Sequence, residues 1–308
     1  MTTCLILGGN GFLGSHLAEG LVKKGYAVRV FDSFKTGMAN LETVKNKVEI
    51  IEGDFLNHED LSQALKGADY VFHYISTTVP TTAAKDPIYD VQTNLIGTVR
   101  LLQLAVASKV KRVIFPSSGG TVYGEPTSLP VQETHALNPM DPYGISKLAI
   151  EKYLNYFNRA YGLDYLILRY SNPYGERQSP HSQQGVIPVF LNRIKMGERP
   201  VIYGDGSMER DYIYVGDAVE ATITALEKKT VHKIFNVGSG AGTSINRLIE
   251  LMSGVAGRKI EPVYAEDTAI RVQKVVLDVS RMRDEVGWKP STSLQEGIER
   301  TWRWLTCL

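Results

Sequence analysis

The sequence predicts an α/β protein, a doubly wound parallel sheet carrying a smaller, interleaved C-terminal α/β unit. Short apolar runs of β type alternate with amphipathic helical patterns through the first half, the signature of βαβ units. A glycine cluster stands between the first of these runs and the first helix. After Arg169 the texture changes to a Pro/Gly/Ser/Gln-rich stretch, residues 171–188, before helical and strand signals resume. The expected division is residues 1–170 with about 214–237 for the first unit, and about 171–213 with 238–308 for the second.

Taken in order, strands are expected at Thr3–Leu7, Ala27–Phe31, Val48–Ile51, Tyr70–His73, Arg112–Pro116 and Tyr165–Arg169. Helices are expected between them at Gly11–Lys24, about His58–Leu65, one long helix from about Pro87 to Ser108, and Tyr143–Tyr161. Within the long one, Leu95, Val99, Leu102, Ala105 and Val106 recur at three- and four-residue steps and form a core-facing stripe. Residues 171–188 read as a long loop, which a compact domain rarely carries without using it. Beyond it come Val189–Met196, Val201–Tyr203, Val215–Glu227, Ile234–Val237, Ile245–Val255 and a closing amphipathic helix near Leu294–Leu305.

Composition excludes several classes of function. The 308 residues are 43% hydrophobic and 22% charged, as in an ordinary globular protein. Lys and Arg number 34 against 33 Asp and Glu, and neither side of Arg169 departs from neutrality by more than one charge. Nothing here suggests nucleic acid or an acidic membrane surface as a partner. Two cysteines, Cys4 and Cys307, and an N-terminus without a basic region point to a reduced, cytoplasmic setting. The six histidines are scattered singly, so no metal site is expected.

Gly8, Gly9, Gly11 and Gly14 satisfy both common spacings of a phosphate loop, between a strand and a helix. Missing β-carbons there let a pyrophosphate approach the backbone, and the helix N-terminus supplies N–H donors. Asp32 ends the second strand, 18 residues after Gly14, where a carboxylate accepts both ribose hydroxyls and repels a 2′-phosphate. This favours NAD over NADP. Asp54 either reaches the adenine amine or caps the next helix. Tyr143 and Lys147 lie one turn apart on one helix face. A phenol is a poor base at neutral pH, but an adjacent ammonium and a positive nicotinamide ring stabilise its anion.

With Gly8–Gly14, Asp32, Gly53-Asp54, Asn94, Val122-Tyr123-Gly124, Tyr143/Lys147, residues 169–175, Arg210-Asp211-Tyr212-Ile213 and residues 236–240, the chain resembles the extended short-chain dehydrogenase/reductases. It is most similar there to the UDP-glucose 4-epimerase group, over nearly its whole length. The resemblance implies a Rossmann fold in which Gly8, Gly11, Phe12, Leu13, Gly14, Asp32, Asp54, Phe55, Asn94, Tyr143 and Lys147 hold NAD. It implies that hydride leaves C4 of a UDP-sugar while Tyr143 takes the O4 proton, and that the same hydride returns to the other face. Ser118, Thr121, Asn172, Val186, Tyr203, Arg210 and Arg271 would face the UDP-sugar, with Tyr203 against uracil and Asn172 and Arg210 on the diphosphate. An ion pair with Asp211 or Asp205 is the competing role for Arg210. A homodimer through a four-helix bundle is implied as well.

The chain departs from that pattern in places. Gly119 stands where the group carries the hydroxyl that binds the sugar O4, leaving Ser118, Thr121, or water with Tyr143 to serve. Gly120 and Thr121 replace the carboxylic acids of dehydratase and decarboxylase relatives, so proton abstraction from C5 has no agent. The second diphosphate arginine falls at Thr268, with Arg271 three residues later. Val275 replaces a bulkier residue beside the sugar C2 substituent, leaving room for an N-acetyl group, or is a core residue. Lys85 and Ser76-Thr77-Thr78 either line the sugar pocket or are solvated. The alternatives to epimerisation are a sugar-nucleotide reductase or dehydrogenase that releases its cofactor, and a dinucleotide-binding sensor without chemistry.

Overall fold

The computed structural model describes residues 1–35, 37–182, 184–266 and 272–307. In chain order its elements are β1 (Thr3–Leu7), α1 (Phe12–Lys23), β2 (Ala27–Asp32), β3 (Glu49–Glu52), α2 (His58–Leu65), β4 (Tyr70–His73), α3 (Pro80–Lys85) and α4 (Pro87–Asp90). A π-helical turn over Val91–Ile96 leads into α5 (Gly97–Ala107), followed by β5 (Arg112–Ser118), α6 (Pro142–Tyr161), β6 (Asp164–Tyr170), β7 (Asn172–Tyr174), α7 (Val186–Lys195) and β8 (Val201–Tyr203). The chain continues through β9 (Glu209–Tyr214), α8 (Val215–Glu227), β10 (Ile234–Val237), β11 (Gly242–Ser244), α9 (Ile245–Ala256), β12 (Val263–Ala265), β13 (Lys274–Val275) and α10 (Leu294–Cys307).

Seven parallel strands form the central sheet in the order β10-β6-β5-β4-β1-β2-β3. Strand order reverses between β1 and β4, and a crevice at the carboxyl ends follows there. The strands read as nearly continuous apolar runs because both faces are covered. Leu17, Leu21, Val30, Phe72, Ala221 and Phe235 belong to the core on one face, under α1 and α8. Leu5, Phe31, Leu101, Phe115, Leu154 and Ile167 belong to the other, under α2, α5 and α6. A second sheet is built on β9, which pairs β11 antiparallel and β7 and β13 in parallel. β8 pairs β12, and α7, α9 and α10 pack around a third core with Tyr174, Leu191, Leu248 and Ile298.

Three expectations change. The long helix from Pro87 is not uniform, because the π turn at Val91–Ile96 interrupts it where Asn94 is drawn inward and Thr98 Oγ1 donates to the Asn94 carbonyl. The presumed loop contains β7, since Asn172–Tyr174 finds a partner in Tyr212–Tyr214, a pairing no local pattern announces. Asp54 is not a helix cap: Asn57 accepts from the Glu59 and Asp60 amides at the start of α2, while Asp54 accepts from Leu56 N at 2.9 Å. Among the described residues no helix is long and apolar enough to cross a membrane, and no group of His, Cys, Asp and Glu could hold a metal.

Candidate active site

The phosphate loop is shaped by what its glycines lack. Gly8 takes φ +80°, and a β-carbon on Gly14 would stand 2.2 Å from the Gly8 carbonyl oxygen. The first turn of α1 therefore approaches the end of β1 closely, and Gly11 N donates to Gly8 O at 3.1 Å. Asp32 closes this site from β2: its carboxylate accepts from Asn10 N at 3.0 Å and Ser33 N at 2.8 Å. Asn10, which the sequence reading passed over, also donates to Gly37 O at 2.6 Å and ties the phosphate loop to the segment after β2. A backbone cradle beside a positioned carboxylate suits a dinucleotide. The side chains of Phe12 and Leu13 pack, partly buried, against the third core.

Tyr143 and Lys147 owe their placement to the way α6 begins. The Asp141 side chain accepts from Gly144 N at 2.8 Å and Pro142 occupies the first turn, so Tyr143 stands at the very start of the helix. Lys147 follows one turn later, buried, with Nζ donating to the Pro116 carbonyl at 3.0 Å. The ammonium lies 4.6 Å from the centre of the Phe115 ring and 5.4 Å from that of Tyr143. Burial pushes Lys147 down to about 8, while the charges of Asp90 and Glu151 pull the other way. Burial, then Asp141 and Asp90, push the Tyr143 phenol well up, and the Ser76 hydroxyl pulls it down.

These two residues share one cavity with His73, Ser76, Asp90, Asn94, Thr98, Phe115 and Ser146. Asn94 accepts from Thr77 N at 3.0 Å and donates to Thr78 Oγ1 and Asp90 Oδ1, each at 2.9 Å. His73 stacks on Phe55 with centroids 5.1 Å apart, and burial holds its imidazole neutral, down to about 3. Of the predicted residues the structure thus gathers Asn94, Tyr143 and Lys147 in one wall, with Phe55 behind His73. Ser76 of the Ser76-Thr77-Thr78 run lines the cavity, whereas Asp90, Ser146 and the buried Thr93 and Thr98 were missed. In sequence they are ordinary helix and loop residues without a motif spacing.

Gly119 has a steric reason. A β-carbon there would stand 2.6 Å from Leu277 Cδ1 and 3.2 Å from the Arg169 carbonyl oxygen. Ser118, its neighbour, ends β5 half-buried at the carboxyl edge of the sheet. Thr121 Oγ1 is sealed from solvent with no partner among the described residues. Val275 is 3% exposed and packs with Val122, Tyr123, Val131 and Leu277, a core position.

The remaining substrate candidates lie in the C-terminal half. Asn172 on β7 donates to Asp211 O at 2.9 Å, Val186 opens α7, and Tyr203 at the end of β8 is exposed. Arg210 donates to the carbonyls of Val272 at 2.6 Å, Glu209 at 2.8 Å and Gln273 at 3.2 Å. Asp211 instead receives the Ser239 and Gly240 amides and the Ser239 hydroxyl. Thr268 and Arg271 lie outside the described residues. Asn172, Val186, Tyr203 and Arg210 do not line the cavity of Tyr143 and Lys147.

Comparison with known proteins identifies the family. Residues 4–238 match the model of the NAD dependent epimerase/dehydratase family. A putative UDP-glucose 4-epimerase of Methanocaldococcus jannaschii is 38% identical over 98% of this chain and 97% of its own length. A UDP-glucose 4-epimerase of Thermotoga maritima, solved with UDP-glucose, superposes with a TM-score of 0.94 at 37% identity over 99% of both chains. A UDP-N-acetylglucosamine 4-epimerase of Methanobrevibacter ruminantium, solved with UDP-N-acetylmuramic acid, gives 0.93 at 34% identity, covering 99% and 98%. The chain belongs to the NAD dependent epimerase/dehydratase family.

Proposed function

We propose that this chain is an NAD-dependent 4-epimerase of UDP-sugars, with Tyr143 as the group that moves the O4 proton. The observation that carries the reading is the Tyr143–Lys147 turn, anchored to the Pro116 carbonyl at the carboxyl edge of the sheet beside the glycine cradle. Bound NAD would supply a hydride acceptor and donor at C4, which makes the reaction redox-neutral by way of a 4-ketone of the sugar. Gly8, Gly11, Gly14 and Asp32 hold the dinucleotide, with Asp54 just after β3 and Asn94, from the π turn, bonded to Thr77 in the segment after β4. Tyr143 Oη, as the phenolate that the Lys147 charge stabilises, accepts the O4 proton, holds it as the phenol while the sugar is a ketone, and then gives it back. Ser118 supplies the hydroxyl that orients O4. Asn172, Val186, Tyr203, Arg210 and Arg271 form the UDP end of the site, and Gly120 and Thr121 leave no carboxylic acid for dehydration or decarboxylation.

The test is incubation with UDP-glucose, UDP-galactose, their N-acetyl analogues and UDP-glucuronate. A C4-inverted product from one of them is expected. Absence of inversion from all five sinks the reading, and stoichiometric NADH release would replace it with a dehydrogenase.

Residues 1–170 with about 214–237 form the cofactor unit in this reading, and about 171–213 with 238–308 the nucleotide-sugar unit; sheet membership supports the division. Ile88, Val91 and Ile96 on the α4–α5 face and Ile145, Tyr153 and Tyr156 on α6 are exposed. They support a homodimer through a four-helix bundle, and an Ile145→Glu chain that elutes at the same mass as the unaltered protein would argue against it. Two thiols, Cys4 buried and Cys307 exposed, fit a reducing cytoplasm, and a disulfide found in the isolated protein would argue against that setting.

A further inference from the structure

Asp90 is fully buried at the end of α4 and lines the same cavity as Tyr143 and Lys147. Its carboxylate accepts from Asn94 Nδ2 at 2.9 Å, from Thr78 Oγ1 and from Ser146 Oγ, all neutral donors. Among the described residues it forms no ion pair. Ser146 lies between Tyr143 and Lys147 in the same turn of α6, so this bond fastens that turn to α4. Asn94 and Thr78 tie it to the π turn and the segment after β4.

A buried carboxylate with three neutral donors is stabilised only in part, and its remaining compensation is a nearby cation. Lys147 is in the complementary position. Among the described residues its ammonium touches a carbonyl and two aromatic rings but no carboxylate. Of the two acids whose charge reaches it, Glu151 is already committed to Arg169, at 2.6 and 3.0 Å, and to Ser117 at 2.5 Å. His73 on β4 faces Lys147 as a neutral ring, and Asp141 at the N-cap of α6 acts on Tyr143. Lys85 of α3 and Arg100 of α5, the other helices packed on α6, are exposed.

We propose that Asp90 is a positioning residue: the buried counter-charge that keeps Lys147 charged and, through Ser146, holds the Tyr143–Lys147 turn in place. It touches no substrate and exchanges no proton with it. This rests on the epimerase reading for its consequence but not for its measurement. Removing the negative charge makes the ammonium harder to keep and the phenolate easier to form. Both Tyr143 and Lys147 then titrate at lower pH, and both limbs of the activity profile move the same way.

The experiment compares the NAD-loaded protein with Asp90→Asn, Asp90→Glu and Ser146→Ala. The readouts are the pH dependence of kcat and the phenolate absorbance at roughly 295 nm, taken as a difference from Tyr143→Phe. In Asp90→Asn both limbs and the Tyr143 titration are expected to move down by on the order of one pH unit. Asp90→Glu restores them, and Ser146→Ala lowers kcat with the limbs unmoved. Unchanged limbs and titration in Asp90→Asn, whatever the loss of kcat, overturn the proposal. Should Asp90→Asn fail to fold, Asp90→Ser is read the same way. If the unaltered protein turns over no UDP-sugar, the absorbance titration still decides the role of Asp90, and only the functional reading falls.

Discussion

Tyr143 sits where its anion is penalised. Burial and the charges of Asp141 and Asp90 all hold the phenol protonated, and Lys147 is the cation placed to offset them. Its removal should be the most damaging single change: Tyr143→Phe is expected to lower kcat by about 10²–10⁴, Lys147→Met by less. Ser118→Ala is expected to cost about tenfold, the loss of one hydrogen bond in the transition state. An unchanged kcat in Tyr143→Phe would remove the assigned base. Gly119 makes a second residue-scale argument. Gly119→Ser would collide with Leu277 and is expected to cost about 1–3 kcal/mol, much of it recovered when Leu277→Ala opens the space. Strict additivity in a denaturant double-mutant cycle would show that the contact of Gly119 with Leu277 carries no energy.

At the scale of elements, α6 is held at both ends of its working face. Asp141 starts it, Gly162 at φ 73° ends it, and Glu151, two turns after Tyr143, grips Arg169 of β6 with both side chains 1–2% exposed. Arg169 also donates to Tyr123 Oη and to the Glu133 carbonyl, beneath the loop that carries Ser118 and Gly119. Breaking such a buried pair leaves a charge without compensation, so Glu151→Ala is expected to lower stability by about 3–5 kcal/mol. Urea unfolding measures it, and a cost below about 1 kcal/mol would mean that Arg169 finds water or another acceptor. The helix itself was legible from Tyr143 to Tyr161, because its caps and apolar spacing are local. β7 was not, because three residues in a polar stretch pair only through β9, about 40 residues on in the chain.

At the scale of the whole molecule, stability should fall in acid through a group far from any surface charge. His73 is packed between Phe55 and Phe115 and donates from Nε2 to Thr98, whose own hydroxyl is spent on the Asn94 carbonyl. In the fold it stays neutral down to about 3, against an ordinary 6.5. Between those values the unfolded chain binds a proton that the folded chain refuses, so stability rises with pH through that window and is lost as pH falls. One such group contributes up to about 1.4 kcal/mol per pH unit. His73→Gln is expected to flatten the acid limb of a stability profile by that amount, and an unchanged slope would show that His73 is not the group responsible.

The seven strands of the central sheet, the phosphate loop, Asp32 and the Tyr143–Lys147 turn were determined by the sequence alone, because each depends on spacing within one βαβ unit or one turn of helix. Tertiary structure decided what surrounds them. The wall that Asp90 builds from Thr78, Asn94 and Ser146, the methyl group of Leu277 over Gly119, and the carbonyls of Val272 and Gln273 around Arg210 all join residues distant in the chain. Contacts of that kind are selected by packing and by the need to satisfy buried polar groups, and neither leaves a period in the sequence.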